Sequence, residues 1–175
     1  VVLPKVAGAT VGAPQLNPDY KGFILAPSKI AMAYADILIK GPTSEFMKYF
    51  DTSADQFVKT SGFDAKQARK AAIPDKASIE FSNELGAGDS IVFGTNDSGA
   101  IVVVNLNQIE TVTPTEAGAS VNPGGVTKTL SGVTSTLKGI VATYGDQLMF
   151  YVPKVDSNKK NVLLGRADGL ISAKE

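Results

Sequence analysis

Residues 73–84 read IPDKASIEFSNE, and this stretch decides the fold. Upstream of Pro74, apolar side chains recur at helical spacing. Downstream, Ile79 and Phe81 alternate with Glu80 and Ser82. A helical period gives way to a period of two, the signature of a strand with one buried face. The pattern then persists. SIVFGT (90–95) follows a GAGD turn (86–89), NDSG (96–99) is a hairpin signal, and AIVVVNLNQIETVT (100–113) is a long strand. Its apolar phase slips between Leu106 and Ile109, which predicts a bulge there. TSTLKGIVATYGDQLMFYVP (134–153) is a further strand with Gly139 and Gly145 as bend or bulge points. After the turn VDSNKKN (155–161), NVLLGRADGLISAKE (161–175) is a last strand, interrupted at ADG.

On the other side of Pro74 the chain is helical. PSKIAMAYADILIKGP (27–42) places Ile30, Tyr34, Ile37 and Leu38 on one face, with Ser28 as a cap and Gly41–Pro42 as a stop. SEFMKYF (44–50) fits a short helix with Phe46, Met47 and Phe50 on a face. SADQFVKTSG (53–62) opens with Ser53 and Gln56 at capping-box spacing, and DAKQARKAAIP (64–74) repeats that logic with Asp64 and Gln67. Residues 1–26 are punctuated by Pro4, Pro14 and Pro18 and by Gly8, Gly12 and Gly22, so no helical period survives. They read as an extended N-terminal arm or a linker, with a short strand expected at Phe23–Leu25. Residues 27–175 make a single α+β domain. Helices first and antiparallel strands after is α+β order. Long strands with internal glycines imply a strongly bent sheet, whose concave face receives the N-terminal helices.

Composition narrows the chemistry. The 175 residues carry 17 basic and 17 acidic side chains, 43% hydrophobic residues, no histidine and no cysteine. Ser-His-Asp and Cys-His catalysis, Cys/His zinc sites and thiol redox chemistry are therefore excluded. An enzyme would have to run on Asp, Glu, Lys, Tyr or Ser. Arg69 and Arg166 are the only arginines, and no basic footprint for nucleic acid is visible. No apolar run is long enough to span a membrane. No cofactor or metal is implied. The Asp156–Asn158 pair in DSNKKN fails as a calcium loop because Lys160 stands where an oxygen ligand is needed.

Tyr34, Phe46, Phe57, Tyr144 and Phe150, with Leu148, are the candidate ligand-lining residues. A small-molecule site is mostly apolar with a few polar groups. The competing reading is that aromatic residues at these spacings are core. Among carboxylates, Glu80, Asp89, Asp97, Glu110 and Asp146 lie in or near strands, where a facing pair across a cleft would be needed for hydrolysis. Asp146 with Tyr144 is an acid–tyrosine pair expected to converge only through a bulge at Gly145. The segment Pro114–Gly125, inside ETVTPTEAGASVNPGGVTKTLSG (110–132), is longer than an ordinary hairpin loop and is either a lid, a partner-contacting loop or slack chain. Lys154, Lys159 and Lys160 cluster in a solvated turn.

Helices followed by a bent antiparallel sheet resemble the cone-shaped NTF2-like (cystatin-like α+β) fold over residues 28–173. Enzymes of that fold place a polar pair, often Asp with His or Tyr, deep in the cone, and histidine is missing here. TYGDQLMFYVP (143–153) with VLLGRADGLISAKE (162–175) is similar to uncharacterised actinobacterial extracytoplasmic lipoproteins. That likeness implies a place in the cell envelope, held by an upstream lipidated cysteine that this chain does not contain. It implies no catalytic residues. The expected function is noncatalytic binding of a small molecule or a cell-envelope protein. A carboxylate-based hydrolase or isomerase is the second expectation. The third is a structural surface module with a Lys–Asn cross-link beside a buried acid, drawn from Lys128, Lys138, Asn105 and Asn161. An exposed sheet edge gives a route to a homodimer.

Overall fold

The computed structural model describes residues 3–175, so the first two residues of the N-terminal arm lie outside it. Helices α1 (Ile30–Lys40), α2 (Gln56–Ser61) and α3 (Phe63–Ala72) precede the strands β1 (Ala77–Leu85), β2 (Ile91–Gly94) and β3 (Ala100–Pro114). A short helix, α4 (Gly125–Ser131), comes before β4 (Ile140–Val152) and β5 (Val162–Lys174). The architecture is α+β, with the three N-terminal helices on an open, five-stranded antiparallel sheet. β3 and β4 are central and β5 forms one edge. On the other side β3 pairs first with β2, over residues 100–103, and then with β1, over residues 106–114.

α1 forms because its apolar residues recur on one face and Gly41 ends it. Ile30, Tyr34, Ile37 and Leu38 are all fully buried against the sheet. Gly41 adopts φ 53°, and a Cβ there would meet Phe63 Cβ at 2.7 Å, so the stop requires glycine. Ser28 does not cap the helix; its hydroxyl donates to Asp19 instead, at 2.6 Å. SEFMKYF yields only a 3₁₀ turn over Met47–Tyr49, with no side-chain cap at its start. α2 is capped by Asp55 rather than Ser53: Asp55 Oδ1 accepts from Phe57 N at 2.8 Å and Val58 N at 3.1 Å. Ser53 is engaged by Asp51. α3 starts at Phe63 behind Gly62, with Asp64 in its first turn and no side-chain cap.

In the sheet, the bulges fall on β5. Pairing with β4 skips Leu164 and Ile171. β3 runs in unbroken register against β4 from Ala100 to Val112, so the apolar slip after Leu106 is not a bulge. β5 continues without a break through Ala167–Gly169, opposite Gln147, Asp146 and Gly145. The arm crosses the sheet through isolated bridges Gln15–Phe93 and Phe23–Lys154 and buries Phe23. The stretch expected to be one long loop contains α4, which ends at Gly132 in the left-handed conformation and packs beside β5.

Candidate functional site

The face of the sheet that meets the helices changes character along its length. On β3 the inward positions run Ala100, Val102, Val104, Leu106 and then Gln108 and Glu110. On β4 they run Val152, Phe150, Leu148 and then Asp146 and Tyr144. The apolar half carries α1. The polar half lies under α2 and α3 and encloses a cavity of about 310 Å³, at the lower end of the range for small-molecule sites. Its lining includes Phe57, Lys66, Arg69, Phe81, Gln108, Glu110, Tyr144, Asp146 and Asp168.

Asp146 is the centre of this half. It is 3% exposed. Its Oδ2 accepts from Gln108 Nε2 at 3.0 Å, while its Oδ1 is buried without a hydrogen-bond partner. Burial raises the carboxyl to about 6, the Asp168 carboxylate adds to the rise, and Gln108, Arg166 and Lys66 oppose it. Asp168 stands directly across from Asp146 on β5, on the same face. The bulge at Ile171 makes this possible, because an extra residue re-phases the strand and re-aims its side chains. Arg166 lies over the Phe57 ring at 4.4 Å, and its Nε reaches Asp168 Oδ1 at 3.3 Å.

Lys66 on α3 enters the same cavity and is 7% exposed. Its Nζ donates to Gln108 Oε1 at 2.8 Å and to the Ser61 carbonyl, both neutral acceptors. Desolvation lowers the amine to about 8, opposed by the charges of Asp146 and Glu110 and reinforced by Arg69. Arg69 pairs with Glu110 at 2.5 Å and lies 5.2 Å from the Phe81 ring centre. Two cations, Lys66 and Arg69, and three acids, Glu110, Asp146 and Asp168, thus line one half-enclosed space around a carboxamide and an under-coordinated carboxyl, with Arg166 at its edge on Phe57 and Asp168.

The aromatic candidates divide. Tyr34, Phe57 and Phe150 are fully buried and pack with Phe50 in one cluster, with Tyr34–Phe150 centroids 4.9 Å apart and Tyr34–Phe57 centroids 6.3 Å apart. Leu148 is buried beside them, and Phe46 packs on the margin. These side chains form the core under α1. Phe57 also closes one wall of the cavity, and Tyr144 lines it. Tyr34 donates to Asp55 Oδ2 at 2.7 Å, and burial together with the Asp55 carboxylate pushes its phenol far above the ordinary range. Tyr144 and Asp146 share a face without any bulge on β4, because residues two apart on a strand point the same way.

Of the candidate carboxylates, Glu110 and Asp146 reach the cavity. Glu80 pairs with Lys70 at the surface, Asp89 lies in the exposed β1–β2 connection, and Asp97 holds the β2–β3 turn. Sequence reasoning missed Lys66, Gln108 and Asp168. No residue of Pro114–Gly125 lines this cavity. A wider groove, about 920 Å³, runs between Leu3–Lys5, Asn96–Asp97, Tyr151 and the 158–160 turn. Its acids are already engaged: Asp97 accepts from Thr95 and Tyr151, and Asp55 from Tyr34 and the α2 amides. Among the described residues Asn83, Asp146 and Asn161 have buried side-chain atoms without a hydrogen-bond partner, and of these only Asp146 lines either space, the smaller cavity. The cross-link candidates are dispersed. Lys138 pairs with Glu175, Asn105 donates to Ala87, Lys128 sits on α4, and Asn161 is buried where the 158–161 turn bridges Phe50. Among the described residues no cluster of acidic side chains has metal-binding geometry, and no helix is long and apolar enough to cross a membrane. No family model, curated protein or solved structure matches this chain.

Proposed function

We propose that the chain is a noncatalytic, extracytoplasmic binding domain that holds a small polar molecule between α2, α3 and the sheet. The observation that carries this reading is the buried Asp146 oxygen with no partner, set in the wall of a cavity. A buried polar atom left unpaired costs about 1–3 kcal/mol. A ligand O–H or N–H placed against Asp146 recovers that cost. The mixed charge of the lining favours a ligand with both donors and acceptors over an apolar one. The cell-envelope location rests on the likeness of residues 143–175 to extracytoplasmic lipoproteins, and a cell-envelope protein is the alternative occupant. The test is a thermal-shift screen of small polar compounds against the wild type and Asp146→Asn. A ligand that stabilises the wild type and loses its effect in the variant supports the reading. Equal stabilisation of both proteins places binding elsewhere.

A second reading has its own observation. Asp146, Asp168 and Tyr144 face one cavity, and Asp146 is buried beside the Asp168 charge, which together with burial raises its carboxyl. That is the arrangement of an acid–base pair, so a carboxylate-based hydrolase or isomerase remains the competing class. Turnover of any compound found in the screen, with a limb of its pH profile near 6 that disappears in Asp146→Asn, would move the chain into that class.

A further inference from the structure

Lys66, Gln108 and Asp146 stand in a line that joins helix to sheet, and no part of the binding reading uses their order. Lys66 Nζ donates to Gln108 Oε1 at 2.8 Å, and Gln108 Nε2 donates to Asp146 Oδ2 at 3.0 Å. The amine thus sits at one end of the carboxamide and a carboxyl at the other. Lys66 has no salt bridge; its partners are neutral oxygens, and the Phe81 ring centre lies 5.7 Å from Nζ. A buried ammonium without a paired anion is costly. A reaction that turns it into a neutral amide removes the cost.

We infer that Lys66 and Gln108 form an autocatalytic isopeptide bond across the cavity, releasing ammonia, with Asp146 as the proton carrier. The reaction starts when a proton passes from the ammonium through solvent in the cavity that both groups line to the Asp146 carboxylate, leaving a neutral amine. Burial prepares both groups, since it lowers the amine to about 8 and raises the acid to about 6. The Lys66 nitrogen lone pair forms a bond to Gln108 Cδ, and the carbonyl electron pair moves to Oε1. The carbonyl then re-forms and the Cδ–Nε2 bond breaks. Nε2 takes the proton held by Asp146 and leaves as ammonia, and Asp146 recovers a proton from Nζ. Amine and carboxamide become secondary amide and ammonia; nothing is oxidised, and no co-reactant is needed. Gln108 and Asp146 both line the cavity, which gives the ammonia an exit. The bond would fasten α3 to β3, residues separated by 42 positions in the chain, and closing a loop of that size restricts the unfolded state.

The test is the intact mass of the denatured wild-type chain after prolonged incubation at mildly alkaline pH, followed by peptide mapping. The expected mass is short by one ammonia, with a branched peptide joining residues 66 and 108. Lys66→Met and Asp146→Asn should lose the branched peptide and recover the mass of their bare sequences, with folding checked by circular dichroism. Gln108→Glu should give the same branched product by losing water in place of ammonia. A folded wild-type protein at the bare-sequence mass, with linear peptides covering both residues, overturns the inference without any variant. An ammonia loss that maps to another residue overturns it equally. Bond formation in Asp146→Asn at the wild-type rate overturns the role of Asp146. Ligand binding is read under native conditions and the bond under denaturing ones, so the two proposals fail separately.

Discussion

Tyr34→Phe removes one oxygen atom from the fully buried face of α1. Tyr34 donates to Asp55 Oδ2 at 2.7 Å, and Asp55 Oδ1 meanwhile caps α2. Asp55 is 8% exposed, so the stranded oxygen has little access to water. A hydrogen bond to a charged group contributes about 1.5–3 kcal/mol, and an orphaned buried acceptor adds its own desolvation cost. The variant should lose about 2–3 kcal/mol, which for a domain of this size lowers Tm by about 4–12 °C. Asp55→Ala should cost at least as much, because it removes the cap, about 1 kcal/mol, and strands the phenol. The two effects share one bond, so the double variant should be more stable than the sum of the singles predicts, by about 2 kcal/mol. Urea unfolding of the four proteins, with equal m-values as the check on two-state behaviour, supplies the cycle. A loss below about 0.5 kcal/mol for Tyr34→Phe, or a coupling near zero, would refute the reasoning. It would mean that water enters the aromatic cluster and that these residues line a site after all.

Other parts of the structure give independent expectations. The native Asp146 carboxyl holds its proton up to about 6, where the unfolded chain releases it at 3.8, among the facing groups Lys66, Arg69, Gln108, Glu110, Tyr144, Arg166 and Asp168. The native state binds the extra proton between those values, so stability falls as pH rises through 6, by about 3 kcal/mol. In a Lys66→Met background, which removes the amine, Asp146→Asn should abolish that fall; a difference independent of pH between the two proteins would contradict it. Gly41→Ala should destabilise by about 1–3 kcal/mol, because φ 53° disfavours a side chain and the new Cβ meets Phe63; a neutral result in thermal melts would show that α1 can end otherwise. Phe150→Ala, in the middle of the aromatic cluster, should cost about 3–5 kcal/mol in the same assay. A much smaller loss would mean that the cluster is loosely packed.

The fold was legible where periodicity was strong. The face of α1 and the switch to strands after Pro74 follow from spacing alone, since burial enforces them. Short elements were not legible. SEFMKYF holds the better helix formers, yet only GVTKTLS becomes a helix, which ends at the left-handed Gly132 and packs beside β5. The site was half visible. Asp146 and Tyr144 stand out in the sequence as an acid–tyrosine pair. The apparent slip after Leu106 is the stronger signal, and it marks a change of polarity instead of a bulge. No phase changes there; the inward face itself turns polar at Gln108 and Glu110. Polar residues held in core-facing positions break a local rule, and such breaks concentrate where a protein works. Asp168 could not be found, because its orientation depends on the bulge at Ile171, a pairing that exists only once β5 has docked on β4. Lys66 sits among polar residues on a helix that reads as solvated, and only the sheet beneath it reveals its burial.

The central claim is that the polar half of the concave face is a desolvated acid–base centre built around Asp146. An NMR titration of the side-chain carboxyl carbons, assigned through Asp146→Asn, tests it most directly. The account predicts a midpoint of about 6 for Asp146, moving further when a ligand or the Lys66–Gln108 bond changes its surroundings. A midpoint near the ordinary 3.8 would contradict it, because a carboxyl that titrates there is solvated, and the cavity would not be the enclosed site described.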